Sequence, residues 1–184
     1  ASLVGSEMCI RDRYIAYIGR LSYEKGYDLL VEVARKHPEI KFRFAGAQRE
    51  QKNTDIPSNV EFAGYLQKDK LLEFIQKARF IVIPSRCYEG FPMAILEAAC
   101  HGKPAIASNH GGFTEIIGQG ENAIGKLFEP GNIDDLDKQI AELWNNQTLT
   151  EELGEKAFRK LKKHYDSEVV YKLSLIHISE PTRL

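Results

Sequence analysis

Short runs of consecutive apolar residues, alternating with helical patterns, are the feature that most constrains the fold of this chain. The run Phe80–Ile83 (FIVI) lacks the apolar–polar alternation of a half-exposed strand, so it predicts a strand buried on both faces. Between such runs, apolar residues recur at helical spacing, as in Leu30, Val33 and Ala34. The predicted strands cover residues 14–19, 41–45, 60–63, 80–83, 104–108 and 122–128, and the predicted helices cover 68–78, 133–144, 149–164 and the residues from 167, with further helices around Leu30, after Pro92 and up to Ile117.

This alternation predicts an α/β fold. Strands that are joined by helices pair in parallel and need helices on both faces of the sheet. We therefore expect a doubly wound parallel sheet of about six strands, with extra helices at the C-terminal end.

The two ends of the chain are interpreted separately. A DNA sequence that encodes LSLIHISEPTR (173–183) encodes LVGSEMCIRD (3–12) on its complementary strand. Two unrelated protein ends do not share this relation by chance, and the DNA resembles a transposase sequencing adapter. We expect residues 1–13 and 173–184 to be translated adapter scars, and residues 14–172 to be one truncated domain that is long enough to form a core.

Composition narrows the classes of partner and location. The formal net charge of −1 gives no indication of a nucleic-acid partner. No apolar run is long enough to predict a transmembrane helix. Cys87 and Cys100 form no CxxC pattern and have no nearby histidine pair, so neither a zinc site nor a disulfide is predicted. We expect a reducing, cytoplasmic location and a core position for Cys100.

Ligands of doubly wound sheets bind beyond the carboxyl ends of the strands, where three loops of this chain carry unusual residues. We name them the first loop (19–26), the second loop (89–92) and the third loop (108–112). In the first loop, Ser22 is the expected helix N-cap, and Arg20 and Lys25 lie beside the helix N-terminus. Two cations there indicate a bound anion such as a diphosphate, with solvated surface charges as the equally weighted alternative.

The second loop leads into an unusually apolar helix. Gly90 and Pro92 open it, and its free backbone N–H groups and dipole predict an anion site. Glu89 precedes this site and Glu97 follows inside the helix. Backbone amides that bind phosphate, together with carboxylates that bind hydroxyl groups, suit a nucleotide sugar. A glycosidase pair of carboxylates fits less well, and a salt bridge to a Lys or Arg at the core edge is the alternative for Glu97.

The third loop contains Gly111 and Gly112. Glycines there allow a ligand to approach the backbone closely, but a simple tight turn explains them equally well. His110 is near the predicted site, and we expect no catalytic role for it.

In sequence order, these features resemble a known family: the C-terminal donor-binding domain of retaining glycosyltransferases of family 4 (glycosyl transferases group 1), which have the GT-B fold. The resemblance covers nearly all of residues 14–172 and implies that the domain is the Rossmann-like C-terminal half of that fold. The matching elements are Gly19-Arg20-Leu21, Glu24-Lys25-Gly26, Pro84-Ser85, Glu89-Gly90-Phe91-Pro92, Glu97-Ala98, and Gly111-Gly112 with Glu115.

The resemblance also implies roles for individual residues. Arg20 and Lys25 would hold the donor diphosphate, Glu89 would contact the hydroxyls of the donor sugar, and Glu97 would bind the ribose. The segment 64–66 would present its backbone to the nucleobase. The implied catalytic residues are Arg20, Lys25 and Glu89, and the implied substrate-binding residues are Gly19, Leu66, Gly90, Phe91, Pro92, Glu97, Gly111 and Gly112. No metal or other cofactor is expected, because the cations and the helix N-terminus neutralise the diphosphate.

The implied function is that of the donor-binding half of an enzyme that moves a hexose-type sugar from a nucleoside diphosphate sugar to an acceptor with retention of configuration. Members of the family carry the acceptor site on an N-terminal domain, so we expect this fragment to bind nucleotide sugar weakly and to transfer none. The expected partners are the nucleotide sugar and that domain. Any membrane contact, peripheral and at the inner face, is expected only through the missing part. The alternatives are another GT-B enzyme, such as a nucleotide-sugar epimerase, and a non-catalytic nucleotide-binding or purely structural domain.

Overall fold

The computed structural model describes residues 13–47, 55–90 and 92–164. Its strands form one parallel sheet in the order β3-β2-β1-β4-β5-β6. The order reverses between β1 and β4, which is the switch point of a doubly wound Rossmann-like sheet. The predicted fold class is therefore confirmed. The strands are β1 Tyr14–Ile18, β2 Phe42–Ala45, β3 Val60–Gly64, β4 Ala78–Ile83, β5 Ala105–Ser108 and β6 Gly125–Phe128.

Helices cover both faces of this sheet. They are α1 Tyr27–Lys36, α2 Asp69–Lys77, α3 Met93–Cys100, α4 Gly112–Ile117, α5 Ile133–Asn145 and α6 Gln147–His164. On one face, Tyr17, Phe44 and Phe80 pack with apolar residues of α1 and α5. On the other face, strand residues such as Ile81 pack with α2, α3 and α4. The central strands are apolar without alternation because each side chain meets a core, whichever way it points.

The predicted boundaries differ from the structure by up to three residues, and two cases are informative. Residues 120–122 form a 3-10 turn, so β6 begins at Gly125 and not at residue 122. Ala78 has extended backbone angles (φ −68, ψ 151) and begins β4, whereas the sequence predicts it as the end of a helix. Periodicity alone does not separate an apolar helix end from the first residue of a buried strand.

The predicted helix from residue 167 and nearly all of both predicted adapter scars lie outside the described residues. Within the described ranges, none of the helices has the length and apolar character that crossing a membrane requires.

Candidate functional site

The three loops meet at the carboxyl edge of the sheet because β1, β4 and β5 are neighbours there. Lys25 Nζ of the first loop donates to Glu89 Oε1 of the second loop over 2.6 Å. The backbone N–H of Gly112 in the third loop donates to the Glu89 carbonyl oxygen over 2.8 Å. The Nε2 atom of His110 lies 2.9 Å from the Ser85 carbonyl oxygen. The structure thus joins residues from all three predicted loops in one cluster.

Glycines allow this close contact between loops. Gly26 has a φ of +69°, and a Cβ there would overlap the carbonyl oxygen of Pro84. A Cβ on Gly112 would overlap the carbonyl oxygen of Gly90. The neighbouring Gly111 has a φ of +58°, a conformation that disfavours other residues. Packing of the protein's own backbone therefore accounts for these glycines, and approach of a ligand to Gly111 and Gly112 stays a prediction.

The Lys25–Glu89 ion pair is the electrostatic centre of the cluster. The two side chains are 21% and 23% exposed, so water screens them less than it screens a surface pair. The predicted diphosphate cation and the predicted sugar carboxylate thus neutralise each other. A ligand with both a phosphate and hydroxyl groups could replace each partner with one of its own groups.

Arg20 is the second predicted cation of the first loop. Its side chain is exposed, and its guanidinium makes no hydrogen bond or ion pair with any residue in the described ranges. Below it, the Tyr17 hydroxyl donates to the Arg20 carbonyl oxygen over 2.6 Å. Burial raises the pKa of Tyr17 far above its ordinary value, and the negative charge of Glu89 adds to the shift, so the phenol stays a neutral donor. Tyr17 thus fixes the backbone that carries Arg20.

The predicted capping role of Ser22 is wrong. Ser22 precedes a 3-10 turn, Tyr23–Lys25, and its side chain makes no capping hydrogen bond. Its hydroxyl is buried without a hydrogen-bond partner among the described residues. Gly26 occupies the N-cap position of α1 instead. Because the extra turn comes first, Lys25 lies just before α1 and not within its first turn.

Arg86 clamps the first loop to the segment that precedes the second loop, and sequence reasoning missed it. Its guanidinium donates two hydrogen bonds to the carboxylate of Asp28, over 2.7 and 2.8 Å. It also donates to the carbonyl oxygen of Tyr23 over 2.6 Å and lies 4.0 Å from the centroid of the Tyr23 ring. The hydrogen bonds that Arg86 donates to Asp28 raise the pKa of Arg86. The sequence offered no signal for this clamp, because it depends on the adjacency of β1 and β4.

At the start of α3, Pro92 is buried and occupies the N-cap position. Glu97 is only 9% exposed, and it is not without an interaction partner. Burial raises the pKa of the Cys100 thiol, and the charge of Glu97 adds to the shift. Cys100 is only partly buried and packs at the edge of the core, so its predicted core position is reached in part. Glu97 is thus a nearly buried carboxylate in the middle of an apolar helix, as the sequence pattern indicated.

The other predicted site residues are placed less tightly. Gly19 follows β1 and is half-buried, and Gly90 is exposed at the tip of the second loop. Leu66 follows β3, three strand spacings or about 14 Å across the sheet from β4, and packs on the face that carries α2. Phe91 lies outside the described residues. Among the residues that the structure describes, no three His, Cys, Asp or Glu side chains are grouped as ligands for a metal ion.

Comparison with known proteins gives a consistent family. The sequence model of the family described as "Glycosyl transferases group 1" matches residues 10–160. The chain is 35% identical, over 145 residues, to the uncharacterized glycosyltransferase MJ1178 of Methanocaldococcus jannaschii, covering 76% of this chain and 40% of that protein. It is 32% identical to the sulfoquinovosyl transferase SQD2 of Arabidopsis thaliana, covering 83% of this chain and 30% of that protein.

Solved structures agree on the fold. TarM of S. aureus superposes with a TM-score of 0.72 at 26% identity, covering 92% of this chain and 36% of TarM. Anabaena HepE in complex with UDP-glucose superposes with a TM-score of 0.74 at 18% identity, covering 94% of this chain and 50% of HepE. The chain therefore spans less than half the length of the curated relatives it matches, and at most half of these two structures.

Proposed function

Because this chain belongs to the glycosyl transferases group 1 family, we propose that it is the donor-binding half of a glycosyltransferase that uses a nucleoside diphosphate sugar. The observation that carries the proposal is the Lys25–Glu89 ion pair, which joins two loops at the carboxyl edge of the sheet. The exposed guanidinium of Arg20 and the N-terminus of α3 belong to the same edge of the sheet. This edge offers cations and free N–H groups to a diphosphate and carboxylates to hydroxyl groups.

In the proposed complex, the diphosphate accepts hydrogen bonds from Lys25 and Arg20, and the sugar hydroxyls donate to Glu89. When the ligand binds, the Lys25–Glu89 ion pair breaks and each side chain bonds to one group of the ligand instead. Neither charge is then left without a partner. Glu97 is proposed to accept from the ribose hydroxyls. Gly19, Gly90 and the backbone after β3 complete the proposed binding surface.

The proposed reaction transfers a hexose-type sugar with retention of configuration. As the glycosidic bond breaks, negative charge develops on the departing diphosphate, and donors that are already in place stabilise it most effectively. Lys25 and Arg20 are proposed for this role. Their charges, with the start of α3, suit a diphosphate without a metal ion.

We further propose that transfer requires a second domain that carries the acceptor site. Support comes from the relatives, since this chain spans 40% of one and 30% of the other. The chain alone is then expected to bind nucleotide sugar and to release no transferred product. Measurable turnover by the isolated chain, on any acceptor, would contradict this requirement.

Calorimetric titration of the chain with UDP, GDP and ADP, and with their sugar derivatives, tests donor binding. We expect heat with one base, and affinity reduced by about tenfold or more in Arg20→Ala, which removes a charge-assisted hydrogen bond. The matched control is Lys138→Ala, which removes an exposed cation on α5. No heat with any nucleotide, or equal affinity of Arg20→Ala and the control, would favour a purely structural domain.

A further inference from the structure

A second charged surface lies far from the nucleotide-sugar site, at the opposite edge of the sheet. It is a groove of about 400 Å³ between α6 and the residues that precede β6. Because parallel strands all begin at one edge and end at the other, this groove lies at the amino edge, away from the three loops. It is lined by Glu121, Asn122, Ile124, Lys156, Arg159, Lys160, Lys163 and His164.

The basic residues form a row along one side of α6. Positions 156, 159, 160, 163 and 164 follow the three- and four-residue spacing of one helix face. The adjoining face, with Ala157 and Leu161, is buried against the domain. At 1.5 Å per residue, the row is about 12 Å long. The face is therefore fixed in position by the core and turned outward.

The positive charges of this row are poorly balanced. Among the described residues that line the groove, Glu121 carries the only carboxylate. Lys156 and Lys163 make no hydrogen bond or ion pair within the part of the chain that the structure describes. Arg159 pairs with Glu155 over 2.7 Å, but both side chains are mostly exposed, so the pair exchanges easily with water.

The helix dipole accounts for only part of this row. Cations in the last turn, such as Lys163, compensate the carbonyl groups at the helix end. Lys156 and Arg159 lie before the last turn, where the dipole gives little stabilisation. Lys160 donates to the carbonyl oxygen of Ile116 over 2.9 Å, which holds one ammonium group at the groove.

We propose that this basic face of α6 docks on a bilayer surface that contains anionic phospholipids. A row of exposed cations about 12 Å long suits several headgroup phosphates in one plane better than a single small anion. The formal net charge of the whole chain is −1, so the molecule as a whole is not drawn to such a surface and the local row must supply the attraction. This proposal goes beyond sugar transfer and differs from the expectation that membrane contact needs another part of the protein.

Co-sedimentation of the full chain with large vesicles tests the proposal. We expect binding to vesicles of phosphatidylcholine with phosphatidylglycerol, little binding to phosphatidylcholine alone, and weaker binding as salt is raised. Replacing Lys156, Arg159 and Lys163 together by Gln is expected to lower the partition coefficient by about a hundredfold, at about fivefold per cation. All three side chains are exposed, so the fold is expected to persist, as circular dichroism would check.

The control removes the same charge elsewhere. The triple variant Lys41→Gln, Lys70→Gln and Lys138→Gln neutralises exposed cations on other elements and is expected to lose far less binding. A second variant, Lys156→Arg with Lys163→Arg, keeps the charges and is expected to bind as the parent chain does. No binding by the parent, an equal loss in both triple variants, or equally strong groove-dependent binding of duplex DNA or inorganic phosphate would overturn the assignment to a bilayer.

Discussion

At the residue scale, the proposed function makes Glu89 a competitor for the cation that would bind the diphosphate. Its carboxylate is paired with Lys25 over 2.6 Å, so a nucleoside diphosphate without a sugar must displace Glu89 and leave it without that partner. A nucleotide sugar brings hydroxyl groups that can donate to the displaced carboxylate. The site is therefore expected to favour donor over product.

The variant Glu89→Gln tests this competition. We expect about three- to tenfold tighter binding of the free nucleoside diphosphate, because the competing charge is gone, and loss of the gain in affinity that the sugar provides. Calorimetry with each ligand measures both effects. The control is Glu61→Gln on β3, which removes the ion pair in which Arg43 Nη2 lies 2.7 Å from Glu61 Oε1. An unchanged or weaker affinity of Glu89→Gln for the diphosphate would exclude the competition.

His101, at the end of α3, makes stability depend on pH. Burial lowers the pKa of its imidazole, and the positive charge of Lys103 adds to the shift. The unfolded chain, with a histidine pKa of about 6.5, therefore binds the proton more readily than the folded chain. Stability from the neutral imidazole is fully present above about pH 6.5 and is lost as the pH falls towards the folded-state pKa.

We expect the unfolding free energy, measured by urea denaturation, to fall less from about pH 7.5 to about pH 5.5 in His101→Gln than in the parent chain. The difference cannot exceed about 1.4 kcal/mol per pH unit for one group. His164→Gln, at an exposed position, is the control and is expected to keep the parent slope. Equal slopes in all three proteins would show that His101 is not the titrating group.

The sequence identified single charges but not their pairing. Lys25 and Glu89 could be identified because each follows a predicted strand, at the end of the sheet where ligands of doubly wound folds bind. Their ion pair joins residues 64 positions apart, and only the order of the strands brings them together. Ser22 is the opposite case, because its capping role was predicted from local sequence alone. An extra 3-10 turn places Gly26 at the N-cap position of α1, and the Ser22 hydroxyl has no hydrogen-bond partner among the described residues.

At the element scale, the Arg86–Asp28 pair fixes the spacing between the loops after β1 and β4. Arg86→Met is expected to lower the unfolding free energy by about 1–2 kcal/mol, because the bidentate bonds to Asp28 and the contact with Tyr23 are lost together. Arg86→Lys is expected to recover little of this, since an ammonium group lacks the planar fork. Urea denaturation of both variants measures the loss.

The chain offers a matched control for this clamp. Arg159→Met removes another Arg–carboxylate pair, but one that is exposed and within a single helix, so it is expected to change stability by less than about 0.5 kcal/mol. Nucleotide-sugar affinity should fall in Arg86→Met as well, because Glu89 follows on the clamped segment. If Arg86→Met and Arg159→Met were equally stable, the clamp would not hold the loops.

Gly26 provides a second contact between the same two loops. Its φ of +69° disfavours a side chain, and a Cβ would also overlap the carbonyl oxygen of Pro84. Gly26→Ala is expected to cost about 3 kcal/mol or more in unfolding free energy. Gly131→Ala isolates the backbone effect, since Gly131 has a φ of +79° and no atom of the described residues lies within 4 Å of the added Cβ. About 1 kcal/mol is expected for this variant. Equal losses in thermal or urea unfolding would contradict the proposed overlap.

Element types were predictable because burial on both faces leaves a simple pattern. The strands β1, β4 and β5 follow from apolar runs, and α2, α5 and α6 follow from helical spacing. Boundaries were less predictable, as at Ala78, because the same apolar residue suits a helix end and a buried strand. The Arg86 clamp was not predictable at all, since no local pattern marks a side chain that reaches another loop.

At the scale of the whole molecule, the described core begins at Tyr14 and ends at Leu161. β1 pairs with β2 on one side and β4 on the other, so the sheet depends on the residues that follow position 13. Every buried apolar residue of the described ranges lies within the predicted domain, 14–172. The interpretation of residues 1–13 and 173–184 as adapter scars predicts that these ends contribute little to stability.

A chain limited to residues 14–172 tests this expectation. We expect its melting temperature to match that of the full chain within about 2 °C, and its nucleotide affinity to be unchanged, because no described core residue is removed. A chain that starts at residue 17 is the contrasting variant. It lacks three buried residues of the central strand, Tyr14, Ile15 and Ala16, and is expected to lose cooperative unfolding altogether. Calorimetry compares the three proteins, and a melting temperature several degrees lower for residues 14–172 would mean that the ends belong to the folded domain and are not adapter scars.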